Sequence, residues 1–297
     1  MGNTAWEKYD DAQLGMVEIA ARHYKEFFFF FSTERECVRE AIRMAELADY
    51  VNLQDVLDGK VPIRPKVYAV MMDKSIALFH LGNAPLEQGM QIVAAHVDSP
   101  RLDLKQHPLY EETGMAYMDT HYYGGIKKYQ WVTLPLAIHG VVIRKDGSKL
   151  DIVIGEHEDD PVIGVTDLLV HLAGEQLEKA GSKVIEGEAL DLLVGNQPLK
   201  KEEKDAVKAN VLKLLQQKYG IEEEDFISAE LEVVPAGKAR DFGLDRSMIM
   251  AYGHDDRVCA FAGLSAFFGV RHPERTVCCL LVDKEEIGSV GATGMHS

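Results

Sequence analysis

The sequence has few cysteines, and none are at the Cys-x-x-Cys spacing of structural zinc sites and redox motifs. Its 297 residues include four cysteines, two of which are adjacent. Adjacent residues of a strand point to opposite faces, so Cys278 and Cys279 are poorly placed to form a disulfide with each other. We therefore expect a reduced, cytoplasmic protein whose cysteines are buried and structural.

Long apolar runs and an excess of positive charge are also absent. No run of about 18 apolar residues occurs, and the N-terminal residues show no basic stretch followed by an apolar one, so we expect neither a membrane span nor a secretory signal. The balance of 32 Lys and Arg against 48 Asp and Glu gives a net charge of −16. Such a surface repels nucleic acid and anionic membranes, and we expect neither as a partner.

Motifs of covalent catalysis are missing as well. The sequence contains no Gly-x-Ser-x-Gly turn and no glycine-rich phosphate loop that ends in Lys-Ser or Lys-Thr. The cysteines lie in apolar segments, which raise the pKa of a thiol and disfavour it as a nucleophile. Because 46% of the residues are hydrophobic, the chain can form a sizeable core. These absences direct attention to residues that could ligate a metal.

The first part of the chain predicts two helices. Residues 4–31 indicate one helix, which ends in the five phenylalanines Phe27–Phe31. These phenylalanines are either a buried helix end or a contact surface for another subunit. Thr33 and Glu36 have the spacing of a capping box, which predicts a second helix from there to about Ala48.

Strands of an α/β sheet are predicted near both ends of the chain. Val67–Met72 and Ser75–His80 flank a two-residue turn and predict a hairpin. The apolar run Gln91–Ala95 indicates a strand buried on both faces, and Thr276–Val282 predicts another strand. We expect Gln91–Ala95 and Thr276–Val282 to belong to a parallel sheet, with polar residues at its carboxyl edge.

The middle of the chain, residues 101–240, has a different pattern of predicted strands and helices. It contains short strand-like pieces and two predicted helices, one over about 167–180 and one over Lys201–Tyr219. We interpret this block as a domain inserted into a catalytic domain that is formed by 1–100 and 241–297.

Two polar clusters lie next to these predicted elements. His96 and Asp98 are two residues apart in an extended segment and point to the same side, so the histidine can ligate a metal while the carboxylate orients its ring. Asp255 and Asp256 precede a predicted helix, where an aspartate either caps the helix or bridges two cations. Each cluster alone also fits a solvated or capped turn.

The third cluster, Asp283-Lys284-Glu285-Glu286, follows the predicted strand Thr276–Val282. Adjacent residues of an extended segment point opposite ways, so one glutamate can ligate a metal while the other faces the substrate as a general base. This cluster alone fits a solvated acidic loop, but three clusters at one sheet edge predict a metal site. Histidine and carboxylate ligands suit zinc, manganese or cobalt.

At these residues the sequence resembles the aspartyl-aminopeptidase family of dinuclear zinc exopeptidases. The resemblance lies in four segments that follow the family's order through nearly the whole chain, namely Ala95–Pro100, His121–Trp131, Gly253–Arg257 and Asp283–Ser289. It implies an α/β fold, with a three-layer zinc-exopeptidase domain and an inserted, mainly β dimerisation domain.

The resemblance also implies a role for each residue of the three clusters. His96 and Glu286 would ligate zinc, and Asp255 would bridge two zinc ions. Asp98 would steer the metal site, and Glu285 would be the general base. Cobalt or manganese would be substitutes for the two zinc ions of a complete site.

Family members form large homo-oligomers, often tetrahedral dodecamers, so the resemblance implies self-association. A histidine of a neighbouring subunit's inserted domain would then reach the site and contact the substrate. His171 is our candidate for that residue. The alternative is a histidine satisfied within its own predicted helix.

The implied function is hydrolysis of the N-terminal residue of peptides through zinc-activated water, with acidic residues as the implied preference. Family members continue past the end of this sequence with a further Asp and a late His, so we expect a C-terminally truncated member with an incomplete site. Two alternatives remain open. One is an inactive fragment that acts only in subunit assembly, and the other is a related dinuclear amidohydrolase such as a deacylase.

Overall fold

The computed structural model describes residues 4–29 and 32–296 of the chain. Its helices are, in chain order, α1 (Ala5–Lys8), α2 (Asp11–Phe29), α3 (Glu34–Leu47), α4 (Leu53–Leu57), α5 (Gly174–Leu177), α6 (Ala206–Tyr219) and α7 (His254–Gly269). Its strands are β1 (Val51–Asn52), β2 (Lys66–Met71), β3 (Ser75–His80), β4 (Gln91–His96), β5 (Arg101–Glu112), β6 (Met115–Tyr123), β7 (Leu136–Ile143), β8 (Lys149–Ile154), β9 (Leu192–Gly195), β10 (Ala229–Pro235), β11 (Arg240–Phe242), β12 (Met248–Met250) and β13 (Val277–Val282).

These elements form two compact units, one of which interrupts the other in the sequence. The first unit consists of Met1–Ser99 and Lys238–Ser297, and the second of Pro100–Gly237. Each unit has its own sheet, and helices accompany both, so the chain has a mixed α/β fold. No helix among the described residues is long and apolar enough to span a membrane.

The sheet of the first unit has five strands in the order β1-β2-β3-β13-β4. Strands β2 and β3 form the predicted antiparallel hairpin. Strand β13 runs antiparallel to β3 and parallel to β4, with Val282 opposite His96. The sheet as a whole is therefore mixed and not parallel. Its β4–β13 pair is parallel, however, and the carboxyl ends of these two strands lead into two of the three polar clusters.

Strand β4 is one of the two edge strands of this sheet within the described residues, and β1 is the other. Ala95 is buried, and Val93 would lie 3.3 Å from a Cβ added at Gly263 of α7, so this face of the strand is covered by the helix. Ile92 and Ala94, on the opposite face, are exposed. The prediction that both faces are buried is wrong for this part of the strand, because an apolar run does not show which faces other elements cover.

Helix α3 begins at the predicted capping box. The backbone amide of Glu36 donates to Oγ1 of Thr33 at 3.4 Å, and the amide of Thr33 donates to the Glu36 carboxylate at 3.0 Å. The apolar stripe of the helix, which includes Val38 and Ala45, packs in one core with Leu264 of α7. This core supports the strands that carry the polar clusters.

The single helix predicted over 4–31 is interrupted. Helix α1 ends at Lys8, and α2 begins at Asp11 because Asp10 caps it. The amide of Gln13 donates to Oδ1 of Asp10 at 2.8 Å, and the amide of Asp10 donates to the Gln13 side chain at 3.0 Å. This reciprocal pair satisfies amides that a helix start leaves free.

The phenylalanine run lies at the end of α2. Phe27 and Phe28 are buried and belong to the core of the first unit, which agrees with a buried helix end. Phe30 and Phe31 lie outside the described residues.

The sheet of the second unit is antiparallel, with six strands in the order β8-β7-β10-β5-β6-β9. The predicted helix over Lys201–Tyr219 begins later, at Ala206. Its start is determined by Glu111, whose carboxylate accepts hydrogen bonds from the amides of Val207 and Lys208 at 2.8 and 3.0 Å. A carboxylate distant in sequence thus caps this helix, which local sequence does not reveal.

The helix predicted over about 167–180 is wrong. Only the four residues of α5 are helical there, and the preceding residues form turns. Oδ1 of Asp167 accepts from the amide of Leu168 at 2.8 Å and from Nε2 of Gln176 at 2.9 Å. Such local side-chain bonds compete with helical hydrogen bonding. Four apolar residues of this segment are 54–68% exposed, namely Leu168, Leu169, Val170 and Leu172.

Candidate metal site

Three segments of the first unit bring the polar clusters together. His96 is the last residue of β4, and Asp255 lies at the beginning of α7. Glu285 and Glu286 lie in a 3₁₀ turn that follows β13. Because β4 and β13 are parallel neighbours in register, their carboxyl ends open at the same point of the sheet.

Asp98 is the buried centre of this arrangement. Its side chain is completely buried; Nδ1 of His96 bonds to the backbone carbonyl of Asp98 at 3.0 Å and lies 3.2 Å from Oδ1 of the same residue. The two carboxylate oxygens also accept hydrogen bonds from the amides of Glu285 and Glu286, both at 3.2 Å. Asp98 therefore orients the imidazole through its carbonyl and carboxylate, and the carboxylate also fixes the turn that carries the two glutamates. A residue that orients metal ligands without binding the metal acts in this way.

The environment of His96 determines its protonation. Burial by itself would lower the pKa of this histidine, but the hydrogen bonds and charge of Asp98, with a contribution from Glu285, raise it from 6.5 to about 9. Without a cation the ring therefore carries a proton at neutral pH. A cation that binds to Nε2 has to displace that proton.

The Nε2 side of His96 faces two carboxylates. Nε2 lies 3.4 Å from Oδ1 of Asp255 and 3.6 Å from Oε2 of Glu285. The side chains of Asp255 and Glu285 are 85% and 56% exposed, so this side of the site is open to solvent. Tetrahedral zinc with bonds of about 2.0–2.2 Å holds neighbouring ligand atoms about 3.3–3.6 Å apart. The distance between Nε2 of His96 and Oδ1 of Asp255 therefore matches one edge of such a site.

Glu286 belongs to the same cluster. Burial raises the pKa of its carboxyl; His96 opposes this, while Asp98, Asp255 and Glu285 add to it. A bound divalent cation would remove the repulsion among these carboxylates, which supports Glu286 as a further ligand.

The turn after β13 differs from the extended segment that we expected. Lys284 has a left-handed backbone, with φ of 72°, and Glu285–Ile287 form a single 3₁₀ turn. Glu285 and Glu286 therefore do not alternate between two faces as in a strand. The amide bonds to Asp98 favour this tight turn, and they come from a residue far away in the sequence.

Neither aspartate at the start of α7 makes a conventional helix cap. Asp255 and Asp256 have non-helical backbones, and among the described residues no side-chain cap hydrogen bond forms at this helix start. Asp256 instead accepts from the thiol of Cys259, which raises the pKa of that thiol. Cys259 is exposed, so the expectation of buried cysteines is wrong for it, although Cys37, Cys278 and Cys279 are buried. Asp255 remains available to the site.

His171 belongs to the second unit. It lies in an exposed turn, so the alternative of a histidine satisfied within a helix is wrong. The sequence-based assignment of His171 to a neighbouring subunit's site stays a prediction.

Sequence reasoning missed two residues next to these clusters. Oγ of Ser99 donates to the backbone carbonyl of Asp255 at 2.9 Å, and the buried guanidinium of Arg257 donates to the carbonyl of Val97 at 3.2 Å. Ser99 directly follows Asp98, and Arg257 directly follows Asp256. The neighbouring sequence does not show that their hydrogen-bond partners are backbone carbonyls of other segments. An arginine at a helix start is more often exposed than buried.

Comparison with known proteins agrees with the geometry. A family model described as aminopeptidase I zinc metalloprotease (M18) matches residues 27–297. A probable M18 family aminopeptidase 1 of Clostridium acetobutylicum is 56% identical over 296 residues, which are 99% of this chain and 64% of that protein. The chain thus spans less than two thirds of the length of this relative.

Solved structures show the same relation. The crystal structure of an M18 family aminopeptidase of Thermotoga maritima is 44% identical, with a TM-score of 0.92, and the match covers 99% of this chain and 63% of that one. The structure of the S. cerevisiae mApe1 dodecamer is 21% identical, with a TM-score of 0.70, and covers 93% and 63%. At that identity it shows a shared fold alone. The chain therefore belongs to the M18 family of zinc metalloproteases.

Proposed function

We propose that this chain carries the metal-binding part of a zinc aminopeptidase, which hydrolyses the N-terminal residue of peptides. The observation that carries the proposal is the position of His96. Its Nδ1 is held by the buried Asp98, while Nε2 faces Asp255 and Glu285 at 3.4 and 3.6 Å. Membership of a zinc metalloprotease family supports the choice of metal.

In this proposal His96, Asp255 and Glu286 would hold zinc, Asp255 would serve two ions, and cobalt or manganese would be substitutes. When bound, zinc supplies a Lewis acid that polarises the scissile carbonyl and lowers the pKa of a water molecule. Asp98 keeps the ring of His96 in one orientation, so that Nε2 and not Nδ1 faces the ion.

Glu285 is the proposed general base. Its carboxylate lies beside Nε2 of His96 and is 56% exposed, so water and substrate can reach it. It would accept the proton of the attacking water and deliver it to the leaving amine. The fixed backbone of the turn, held by Asp98, keeps this carboxylate in place. The resemblance to aspartyl aminopeptidases supports acidic N-terminal residues as the preferred substrates.

We also propose that the protein associates with itself through the second unit. The S. cerevisiae neighbour is described as a dodecamer. Around His171 the apolar side chains are more than half exposed, which favours contact with another subunit. His171 would then contact substrate in a neighbouring subunit's site. The three buried thiols are in keeping with a cytoplasmic location, which we include in the proposal.

The test is hydrolysis of aspartyl-, glutamyl- and leucyl-nitroanilides by the purified chain with added zinc, cobalt or manganese. Metal-dependent release of nitroaniline that Glu285→Gln lowers by at least about 100-fold, because it removes the base, would support the proposal and would contradict the expectation of an incomplete site. Equal rates in Glu285→Gln would contradict the assigned role. Cleavage of N-acylated substrates alone would favour a deacylase.

No turnover with any metal would favour an inactive fragment that acts in subunit assembly. Size-exclusion chromatography addresses this alternative directly, because a dimer and a closed dodecamer elute at different volumes.

A further inference from the structure

Arg257 is among the largest side chains that are completely buried. It lies in α7 directly after Asp255 and Asp256, whose backbones are not helical, and only 1% of its surface is exposed. A charged group is rarely buried unless it has polar partners, because burial without them costs several kcal/mol. Its contacts therefore indicate what the guanidinium holds in place.

Two of its nitrogens bind backbone carbonyls of other segments. Nε donates to the carbonyl of Val97, the residue between His96 and Asp98, at 3.2 Å. Nη2 donates to the carbonyl of Ser32 at 2.7 Å. The guanidinium also lies over the ring of Tyr252, 5.4 Å from its centroid. Arg257 thus ties the end of β4 to the helix that begins at the Asp255 loop.

The loop before the arginine is folded against the same guanidinium. Gly253 has a φ of +81°, and a Cβ added there would lie 2.3 Å from Nη1 of Arg257 and 2.9 Å from Oγ of Ser99. Ser99 in turn donates to the carbonyl of Asp255. Only glycine adopts this left-handed backbone easily and also leaves room for the guanidinium of Arg257 so close to its Cα. The position of the loop therefore depends on Arg257.

We propose that Arg257 is a positioning residue, which sets the separation between His96 and Asp255. This inference rests on the proposed function, in which those two side chains bind one cation. The planar guanidinium reaches two carbonyls and a ring at once, whereas the single ammonium of a lysine cannot span all three. An Arg257→Lys substitution therefore keeps the charge and loses the geometry.

The test compares Arg257→Lys with Phe267→Leu, a change at another buried position of α7, farther along the helix from the Asp255 loop. The first readout is the dissociation constant for Zn²⁺ and Co²⁺, measured by isothermal titration calorimetry. The second needs no metal. It is the rate at which Cys259, the only exposed cysteine, reacts with a thiol reagent, because its thiol contacts Asp256 of the same loop.

We expect Arg257→Lys to weaken metal binding about tenfold or more and to raise the Cys259 rate several-fold. Phe267→Leu should lower the thermal midpoint and leave both readouts within about twofold. Unchanged readouts in Arg257→Lys, or equal changes in both variants, would overturn the positioning role.

Two further outcomes are separable. If the unsubstituted chain binds no metal, the proposed function fails, and the Cys259 rate still decides whether Arg257 holds the loop. If circular dichroism shows that Arg257→Lys does not fold, both readouts are taken on Gly253→Ala, which pushes a Cβ against the retained guanidinium. Loss of metal affinity there supports the inference, and full affinity overturns it.

Discussion

Asp98 and Asp167 accept hydrogen bonds from amide groups in two very different settings. Asp98 in the first unit is completely buried, and its donors are the amides of Glu285 and Glu286, 187 and 188 residues later in the chain. Asp167 in the second unit is exposed, and its donors lie one and nine residues later, in Leu168 and Gln176. The first aspartate joins distant segments, whereas the second shapes a surface turn.

The difference shows why identical side chains have unequal consequences. A buried carboxylate that satisfies several donors cannot be replaced by water, so its removal leaves buried amides without partners. An exposed carboxylate competes with water for each of its donors. We therefore expect effects to decrease from the buried Asp98 cluster to the exposed turn around Asp167.

The largest effect is expected for Asp98→Asn. The side-chain NH2 group of asparagine would face an N–H group of His96, Glu285 or Glu286, and two donors cannot form a hydrogen bond. The free energy of unfolding should therefore fall by about 3 kcal/mol. Zinc affinity should fall about 10- to 100-fold, because the ring of His96 keeps the carbonyl of residue 98 but loses the charged carboxylate beside Nδ1. Urea denaturation and calorimetry measure the two quantities. Asp103→Asn, at a more exposed aspartate, is the control. Equal losses of stability and zinc affinity in that variant would show that burial of the carboxylate does not determine the size of the effect.

A pH-dependent effect of His96 is expected next. Its pKa in the folded, metal-free chain is about 9, above the ordinary 6.5, so the folded state binds its proton more tightly. The resulting stabilisation is fully present below about pH 6.5 and is lost as the pH rises through about 9. Urea denaturation with a chelator, between these two pH values, should show this decline. His96→Gln should remove it, and an unchanged slope in that variant would show that other groups are responsible.

A smaller effect is expected for Asp167→Ala. It removes the acceptor for Leu168 and Gln176, but water replaces both bonds, so the free energy of unfolding should change by about 0.5 kcal/mol or less. Urea denaturation checks this value. A loss comparable to that of Asp98→Asn would mean that the segment is buried against something in solution.

The smallest effect on stability is expected for His171→Ala, because this side chain is exposed in a turn. The free energy of unfolding should stay within about 0.5 kcal/mol of the unsubstituted value. If a partner subunit uses His171, nitroanilide hydrolysis by the associated protein falls in this variant without a change in stability. Hydrolysis at the unsubstituted rate would count against the proposed contact with substrate.

Several features could be predicted because their causes are local. The capping box of Thr33 and Glu36, the β2–β3 hairpin and the end of β4 at His96 each depend on residues a few positions apart. The spacing of His96 and Asp98 also indicated that one residue orients the other, and their contact is observed. The metal-ligand and general-base roles stay predictions.

Local patterns misled where another part of the chain determined the outcome. The apolar segment around Leu168–Leu172 has the composition of a helix, yet its side chains are exposed and Asp167 bonds to the nearby backbone. Glu285 and Glu286 form a 3₁₀ turn and not a strand, in a segment whose amides bind Asp98. The start of α6 depends on Glu111, which is about 95 residues away.

The sequence by itself determined the local elements and the types of residue that could bind a metal, since helix caps, turns and alternating patterns are encoded by near neighbours. Only the tertiary structure decided that β4 is an edge strand, that Asp98 holds both the imidazole and the glutamate turn, and that Arg257 binds the backbone beside His96. The physical reason is that a buried polar group must find its partner wherever the fold provides one, and here those partners lie far away along the chain.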